Sequence, residues 1–245
     1  MLTEEEKLRY SRQILIPEIG QEGQERLSQA CVMIAGLGGL GSITAYYLAT
    51  AGVKHLIIID YDVIKLDNLN RQLLYNTKDI GRLKVESACE KLQDLNPNCR
   101  IDPILTDITV DKDLDPINAC QLIIDATDNL KARQELNRIS QVKKIPFIYG
   151  GIDGLNGMTT TFIPGKTGCL SCVFPHEKGF RNQGAIGALG PVAGIIASIQ
   201  CIEAVKILIG MEPRLTGKLL RFKGAELSFQ EIILEKNPEC IVCGS

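Results

Sequence analysis

Three spaced glycines and one aspartate form the first group of residues that could do chemistry. Gly36, Gly38 and Gly41 follow an apolar run, and Asp60 stands nineteen residues after the last of them. The G-x-G-x-x-G pattern between a strand and a helix predicts backbone N–H groups that hold a nucleotide phosphate. The acid is then placed for a ribose hydroxyl. The alternative is a turn that needs glycine for its geometry alone, and the stretch does not decide which nucleotide binds.

Acidic and basic side chains follow this turn in sequence. Asp60 and Asp62 form an Asp-x-Asp pair after the second apolar run, and Arg71 comes close behind. Lys84 lies in the first turn of a helix that is predicted to run from Gly81 to Leu95. Ligands of doubly wound sheets bind at the carboxyl edge of the strands, and a guanidinium suits phosphate oxygens. A cation in the first turn opposes the helix dipole, which favours a functional role for Lys84. A solvated polar loop is the alternative for the segment that holds the two aspartates.

A further acid and a shortage of histidine narrow the chemistry. Asp128 follows a predicted strand and precedes a predicted helix over residues 130–142, so it is either the N-cap of that helix or a ligand at the mouth of the site. Position alone favours neither. Only two histidines, His55 and His176, occur in the chain. Catalysis by a His–carboxylate or Ser–His pair is therefore nearly excluded.

The cysteines predict a metal site. Nine cysteines are present, and four of them form two Cys-x-x-Cys pairs, Cys169 with Cys172 and Cys240 with Cys243. Two such pairs in a chain without a secretory signal are typical of a structural zinc site with four thiolates. A redox pair is the alternative. The other five are expected to be packing residues: Cys31, Cys89, Cys99, Cys120 and Cys201.

Composition excludes some classes of protein. The formal net charge is −2 over 245 residues, with acids and bases interspersed, so no basic surface for nucleic acid is predicted. The acidic opening lacks the features of a signal peptide, and we predict a cytoplasmic protein. The apolar run Pro191–Ile209 carries polar residues three apart, which favours a buried amphipathic helix over a membrane span.

The elements that must position these residues alternate between strand and helix as far as residue 149. This predicts an α/β fold with a doubly wound, Rossmann-like, mostly parallel sheet. Alternating β-branched runs in the last third predict antiparallel strands added to one edge. A glycine-studded segment over residues 165–190 is predicted to be a loop over the sheet. The chain is predicted to form one unit over residues 1–245. Within it, residues 1–29 form N-terminal helices, residues 30–150 form a nucleotide-binding core, and residues 151–245 form a portion with antiparallel strands, the crossover loop and the zinc site.

Seven motifs in order resemble a known family from about residue 5 to the end of the chain. They are Arg-Tyr-Ser-Arg-Gln, Gly-Leu-Gly-Gly-Leu-Gly, Asp-x-Asp, Asn-Leu-Asn-Arg-Gln, Gly-x-x-Lys-Val-Glu-Ser, Ala-Thr-Asp-Asn and the two Cys-x-x-Cys pairs. The chain resembles the HesA/MoeB/ThiF family of sulfur-carrier protein adenylyltransferases, relatives of the ubiquitin-activating enzymes. Each motif alone is weak, whereas the ordered set is specific.

The resemblance implies an activity and its partners. It implies a homodimer that binds ATP with Mg²⁺ and adenylates the C-terminal Gly-Gly carboxylate of a small ubiquitin-like sulfur carrier. Pyrophosphate leaves, and the acyl-adenylate is resolved by a separate sulfur donor, a cysteine desulfurase or a rhodanese-like protein. The molybdopterin and thiamine pathways both fit. Neither nucleic acid nor a membrane is an implied partner.

The resemblance also implies roles for individual residues. The residues expected to act on the reacting groups are Arg71, Lys84, Asp128 and, reaching the partner subunit's site, Arg12. Those expected to contact the nucleotide are Gly36, Gly38, Gly39, Gly41, Asp60, Asp62, Asn68, Arg71, Lys84, Asp128 and Asn129. The expected metal ligands are Asp128 for Mg²⁺ and, for zinc, Cys169, Cys172, Cys240 and Cys243.

One departure from the family bears on mechanism. Members that link covalently to their carrier have a cysteine in the segment that corresponds to Phe180–Gly187, and this chain has none there. Our hypothesis is that the reaction stops at the acyl-adenylate, because the nearest substitute, Cys201, lies on an apolar helix that buries its thiol. The rival functions are a nicotinamide-dependent oxidoreductase, a non-catalytic nucleotide-binding scaffold, and a relative that activates a small molecule or a tRNA base.

Overall fold

The computed structural model describes residues 1–110, 115–175 and 187–244. The strands are β1 Cys31–Ala35, β2 His55–Asp60, β3 Arg100–Leu105, β4 Leu122–Asp125, β5 Phe147–Asp153, β6 Asn156–Phe162, β7 Lys218–Lys223 and β8 Ser228–Ile233. The α-helices are α1 Glu4–Arg9, α2 Ser11–Ile14, α3 Gly20–Leu27, α4 Gly39–Ala51, α5 Lys84–Leu95, α6 Leu130–Lys143, α7 Leu170–Val173 and α8 Gly190–Ile209. Short 3-10 helices cover Leu66–Asn68, Thr77–Asp79 and Asp115–Ala119.

The strands form one mixed sheet in the order β3-β2-β1-β4-β5-β6-β7-β8. The first five in this order are parallel, and the pairs from β5 to β8 are antiparallel. The predicted doubly wound sheet with an antiparallel extension is therefore confirmed. Residues of β1 are apolar and buried throughout, as expected for a central parallel strand covered on both faces. The chain turns back after β5 through Gly154, whose φ of 58° suits glycine.

Helices cover both faces of the sheet, each over its own apolar core. Alternate residues of β2 separate the cores: Leu56 and Ile58 pack on one side, and Ile57 and Ile59 on the other. The first core includes residues of α3, α4, α5 and α8, and the second includes residues of α6 and α7. The carboxyl ends of the parallel strands are left free to form a site.

Helix α8 has the length and apolar composition that a membrane span would need, with a mean hydropathy of 1.9. Half of that stretch is buried in the protein, where α8 packs on α4 and β5, and core helices of soluble proteins share these properties. Its polar residues are turned inward: Gln200 donates to the Asp125 carbonyl, and the Glu203 carboxylate accepts from the backbone N–H groups of Arg214 and Leu215. The predicted buried helix is present, but the prediction that it is amphipathic is wrong, because Gln200 and Glu203 of its polar stripe lie in the core.

Helix α5 begins later than the sequence indicates. The predicted start was Gly81, but Gly81 adopts a φ of 89° and its N–H donates to the Ile64 carbonyl, while Val63 and Leu83 form a β-bridge. The backbone around residue 82 is thereby held beside the loop after β2. Lys84 becomes the first residue of the helix, directly above the Asp-x-Asp segment.

The glycine-studded segment over residues 165–190 is not loop throughout. It contains α7, whose N-cap is Cys169 and whose third residue is Cys172. The predicted loop over the sheet falls mainly on residues 176–186, which lie outside the described residues. At its far end the Gly187 carbonyl accepts from the Gly154 N–H at 2.7 Å, which joins the segment to the turn after β5.

Candidate active site

A cavity of about 740 Å³ lies at the carboxyl ends of the parallel strands. The chain leaves β1 to one side through β2 and β3 and returns on the other side at β4, so the cavity opens where the strand order reverses. Doubly wound sheets bind ligands at this point. Ten of the predicted nucleotide-contacting residues line the cavity: Gly36, Gly38, Gly39, Asp60, Asp62, Asn68, Arg71, Lys84, Asp128 and Asn129.

The glycine turn has two structural glycines and an open helix end. Gly36 has a φ of 86°, and a Cβ there would lie 2.6 Å from the Ala126 carbonyl oxygen. A Cβ on Gly41 would lie 1.8 Å from the Gly36 carbonyl oxygen, so Gly41 allows the turn to close and lies outside the described lining of the cavity. Gly38 is the N-cap of α4, and as a glycine it has no side chain that could cap this helix. The first N–H groups of α4 are therefore available to an anion in the cavity.

Asp60 organises the same turn. Its carboxylate accepts from the Leu37 N–H at 2.6 Å and from the Asp62 N–H at 2.8 Å, and its side chain is buried. The oxygens keep further lone pairs that can accept a hydroxyl donor. Asp60 therefore holds the turn in place and also lines the cavity, where its predicted contact with a ribose stays a prediction.

Lys84 brings a buried positive charge to the cavity. Its ammonium lies 2.7 Å from Asp62 Oδ2 and 3.8 Å from Asp60 Oδ2, and only 4% of the residue is exposed. A buried ammonium requires a partner, and here the Asp-x-Asp pair supplies it. A phosphate bound in the cavity would find this cation already positioned and would compete with Asp62 for it.

Arg71 and Asn68 come from the loop after β2. Arg71 donates to the Asp67 carbonyl at 2.8 Å and to Asn70 Oδ1 at 3.0 Å, which ties its guanidinium to its own loop. A Cβ on Gly39 would touch the Arg71 side chain at 3.5 Å, so this arginine lies against the glycine turn. The cationic side chains of Arg71 and Lys84 therefore line the same cavity as the N-terminus of α4.

Asp128 lines the cavity and does not cap α6. The N-cap of α6 is Asn129, whose Oδ1 accepts from the Ala132 N–H at 2.9 Å. The capping alternative for Asp128 is therefore wrong. Because its neighbour supplies the cap, the exposed Asp128 carboxylate at the cavity is free of that task and can bind a cation.

A buried group at the wall of the cavity could not be predicted from the sequence. The Arg133 guanidinium lies 3.5 Å from Asp125 Oδ2, donates to the Thr127 carbonyl at 2.8 Å and stacks over the Tyr149 ring at 5.1 Å from its centroid. The Asp125 carboxylate is fully buried and accepts from the Thr127 N–H and hydroxyl. These contacts fix the backbone just before Asp128. The direction in which α6 packs back along β4 is set by the fold, so the spacing of Asp125 and Arg133 gave no signal.

Asp125 should give the protein a measurable pH dependence. Burial raises its pKa to about 6, although the Arg133 guanidinium lowers it. An unfolded aspartate titrates near about 3.9, so between about pH 4 and pH 6 the folded state keeps a proton that the unfolded state has lost, and the free energy of unfolding falls as the pH rises. The gap between the two pKa values corresponds to about 3 kcal/mol. Urea unfolding at stepped pH should show the wild type losing this amount relative to Asp125→Asn.

The matched control for this titration is Asp94→Asn. Asp94 is an exposed aspartate on α5, and its replacement should leave a flat difference from the wild type over the same pH range. A flat difference for Asp125→Asn as well would contradict the raised pKa of the buried carboxyl.

The two Cys-x-x-Cys pairs come together in one cluster. The Sγ atoms of Cys169, Cys172, Cys240 and Cys243 all lie within 4.8 Å of one another. The closest crosswise pairs are 3.7 Å and 3.4 Å apart, far longer than the S–S bond of about 2.05 Å. Four thiolates around zinc at about 2.3 Å would be spaced by about 3.8 Å, so the cluster fits a tetrahedral zinc. Asn137 donates to the Cys169 Sγ at 3.6 Å, which gives the cluster a supporting contact.

Arg12 is a predicted catalytic residue that, unlike Arg71, Lys84 and Asp128, does not line the cavity. It lies exposed on α2, outside the lining formed by the described residues. Its role at the site of a partner subunit therefore stays a prediction.

Comparisons with known proteins agree with the fold and with the motifs. The sequence model of the ThiF family matches residues 10–242. The chain is 38% identical to the adenylyltransferase and sulfurtransferase MOCS3 of Culex quinquefasciatus, over 99% of this chain, and spans 56% of that protein. It is 36% identical to the sulfur carrier protein ThiS adenylyltransferase of Escherichia coli, over 97% of this chain and 95% of that protein. The crystal structure of E. coli MccB with ATP superposes with a TM-score of 0.84 at 25% identity, covering 96% of this chain and 73% of that one.

Proposed function

Because this chain belongs to the ThiF family, we propose that it adenylates the C-terminal glycine of a small ubiquitin-like sulfur-carrier protein. The observation that carries the proposal is the cavity at the strand-order reversal, where an uncapped helix N-terminus meets Lys84, Arg71 and Asp128. The relatives named as sulfur-carrier adenylyltransferases support the substrate, and the ATP in MccB supports the nucleotide. Neither comparison favours a nicotinamide cofactor.

The reaction places charge where this cavity can neutralise it. A carboxylate that attacks the α-phosphate brings two anions together, and pyrophosphate leaves with further charge, so cations matter more than an acid or a base. In our proposal Lys84 and Arg71 bind phosphate oxygens, the first N–H groups of α4 cradle the nucleotide, and Asp60 orients the ribose. Asp128 would hold Mg²⁺, which supplies charge neutralisation at the phosphates. The carboxylate needs no general base, which agrees with the scarcity of histidine.

We also propose that the chain stops at the acyl-adenylate. The sequence between residues 180 and 187 holds no cysteine, and burial raises the pKa of Cys201 to about 12. Such a thiol is a poor nucleophile near neutral pH. A separate sulfur donor, a cysteine desulfurase or a rhodanese-like protein, would then act on the adenylate in the cytoplasm. A carrier adduct that survives denaturation and is lost on reduction would contradict this step.

ATP–pyrophosphate exchange tests the function. The chain should exchange labelled pyrophosphate into ATP only when a ubiquitin-like carrier that ends in Gly-Gly is present, and a carrier lacking the last glycine is the matched control. The carrier that supports exchange identifies the pathway, molybdopterin or thiamine biosynthesis. ATP binding without exchange for any carrier would favour a scaffold or a small-molecule substrate instead.

Mixing two inactive variants tests the proposed homodimer and the role of Arg12. If Arg12 of one subunit completes the site of the other, an Arg12→Ala and Asp128→Ala heterodimer has one intact site. Equal mixing gives about half heterodimers, so exchange should recover to about one quarter of the wild-type rate. Arg9→Ala, a change in a neighbouring exposed arginine on α1, is the control and should stay active without mixing. No recovery in a mixture that forms heterodimers would place Arg12 outside the partner's site.

A further inference from the structure

A second group of titratable side chains lies at the amino edge of the sheet, at the opposite end of the strands from the cavity. β1 and β2 begin at Cys31 and His55, and Cys120 stands just before β4. The Cys31 Sγ lies 3.4 Å from the Cys120 Sγ and 3.4 Å from His55 Nδ1. Two thiols are therefore direct neighbours, and an imidazole nitrogen touches one of them.

The contacts of His55 determine which of its nitrogens faces the thiol as an acceptor. His55 Nε2 lies 2.8 Å from Asp102 Oδ2, and the Asp102 carboxylate also accepts two hydrogen bonds from the Arg100 guanidinium. Burial raises the pKa of Asp102, but the hydrogen bonds from Arg100 and His55 bring it below its ordinary value. Since an ionised carboxylate only accepts, Nε2 carries a proton, and Nδ1 of an imidazole with this tautomer can accept the proton of the Cys31 thiol.

The strand register builds this arrangement. Cys31, His55 and Arg100 are partners across three parallel strands, and Asp102 stands two residues further along β3 on the same face. The imidazole is thereby fixed between the thiol and the carboxylate. Cys31 and Cys120 also belong to the same apolar core, and both residues are buried, with 7% and 6% exposed.

We propose that Cys31 and Cys120 form a dithiol site that a small peroxide oxidises to a disulfide, with His55 as the base for Cys31 and Asp102 as its positioning residue. The burial of both residues restricts the oxidant to a small molecule such as hydrogen peroxide. This site is independent of the proposed adenylation, because it lies roughly 13 Å of strand away from the glycine turn.

The chemistry balances with the peroxide as the oxidant. The Cys31 thiol gives its proton to His55 Nδ1, the thiolate sulfur attacks one peroxide oxygen, the O–O bond breaks, and the leaving hydroxide takes up the proton as water. Cys31 is then a sulfenic acid. The Cys120 sulfur attacks the Cys31 sulfur, the S–S bond forms, the S–O bond breaks, and the hydroxyl leaves with the Cys120 proton as a second water. Two thiols lose two electrons, and the peroxide gains them.

The surroundings of Cys31 make this thiol differ from the other buried thiols, including Cys120, whose pKa is raised by its hydrogen bond with Cys31 and by burial. The hydrogen bond with Cys120 lowers the pKa of Cys31, although burial opposes the change. By contrast, burial raises the pKa of Cys99 and of Cys201 to about 12. Reaction with a peroxide requires the thiolate, so Cys99 and Cys201 serve as unreactive references within the same chain.

Peptide mapping of the full, metal-loaded chain tests the proposal. Trypsin should release residues 27–54 and 113–131, each of which holds a single cysteine, so a linked pair of these two peptides identifies the Cys31–Cys120 disulfide. Hydrogen peroxide should produce this pair, a dithiol reductant should remove it, and Cys99 and Cys201 should stay open to alkylation after unfolding. If Cys31 and Cys120 stay reduced while Cys89 or the Cys-x-x-Cys thiols oxidise, the proposal is overturned.

Variants distinguish a role of His55 as the base for Cys31 from a purely structural role. In Cys120→Ser the linked pair should disappear and Cys31 should be trapped as a sulfenic acid by dimedone, whereas the control Cys99→Ser should keep the linked pair. His55→Gln and Asp102→Asn should each form the disulfide about tenfold more slowly or worse at neutral pH, with an unchanged melting curve. A wild-type rate of disulfide formation in folded His55→Gln would overturn the role of His55, and wild-type mapping tests the dithiol site without any variant.

Discussion

The Asp128→Ala variant should exchange pyrophosphate into ATP about 100- to 1,000-fold more slowly than the wild-type chain. Asp128 is exposed at the mouth of the cavity, and Asn129 rather than Asp128 caps α6. The substitution therefore removes a carboxylate from the site without removing a helix cap. In our proposal this carboxylate holds the Mg²⁺ that offsets charge at the reacting phosphates, so its loss should act on the rate rather than on the fold.

The controls for Asp128 separate chemistry from stability. Asp94→Ala makes the same change of charge on the exposed side of α5 and should exchange at the wild-type rate. Thermal unfolding of Asp128→Ala should match the wild type within about 0.5 kcal/mol, as is usual for an exposed residue. Exchange that persists at close to the wild-type rate in Asp128→Ala would contradict the proposed role and would favour the non-catalytic scaffold.

The parts of the fold that could be predicted are those whose signals lie close together in sequence. The apolar run of β1, the glycine turn and α4 occupy one continuous stretch, and the alternating elements that follow identify the parallel sheet. The order of the strands then brings Lys84 and Asp128 to the same edge, because the carboxyl ends of parallel strands meet there. The cavity's lining could thus be predicted largely from positions after strands.

The parts that could not be predicted depend on register and on backbone geometry. Arg133 reaches Asp125 only because α6 lies back along β4, and Cys31 meets His55 only because β1 and β2 pair from their first residues. Periodicity gives the type of an element but not its register with a neighbour. The start of α5 moved to Lys84 for the same kind of reason, since a β-bridge holds the preceding residues.

The Cys172→Ser variant should lose its zinc and a large part of its stability. The four Sγ atoms lie within 4.8 Å of one another, and the cluster joins α7 to residues 240–243 near the end of the chain. We expect one zinc per wild-type chain, and none in the variant, because a structural site of this kind needs all four thiolates. Metal binding contributes directly to folding. A loss of about 3 kcal/mol would lower the Tm by roughly 6–12 °C in a domain of this size.

A chelator and a matched cysteine variant distinguish zinc loss from a mere change of side chain. Cys89→Ser alters a half-buried cysteine of α5 and should keep both its zinc and most of its stability. Treating the wild type with a chelator should lower its Tm to that of Cys172→Ser, whereas the variant itself should not respond to the chelator. A wild-type chain that contains no metal when prepared without chelator would favour a redox role for the paired cysteines. Thiols that lie 3.4 Å to 3.7 Å apart can join the end of the chain to α7 only through a bridging ion or a disulfide. Without a metal ion, metal binding would therefore no longer stabilise the fold at this point.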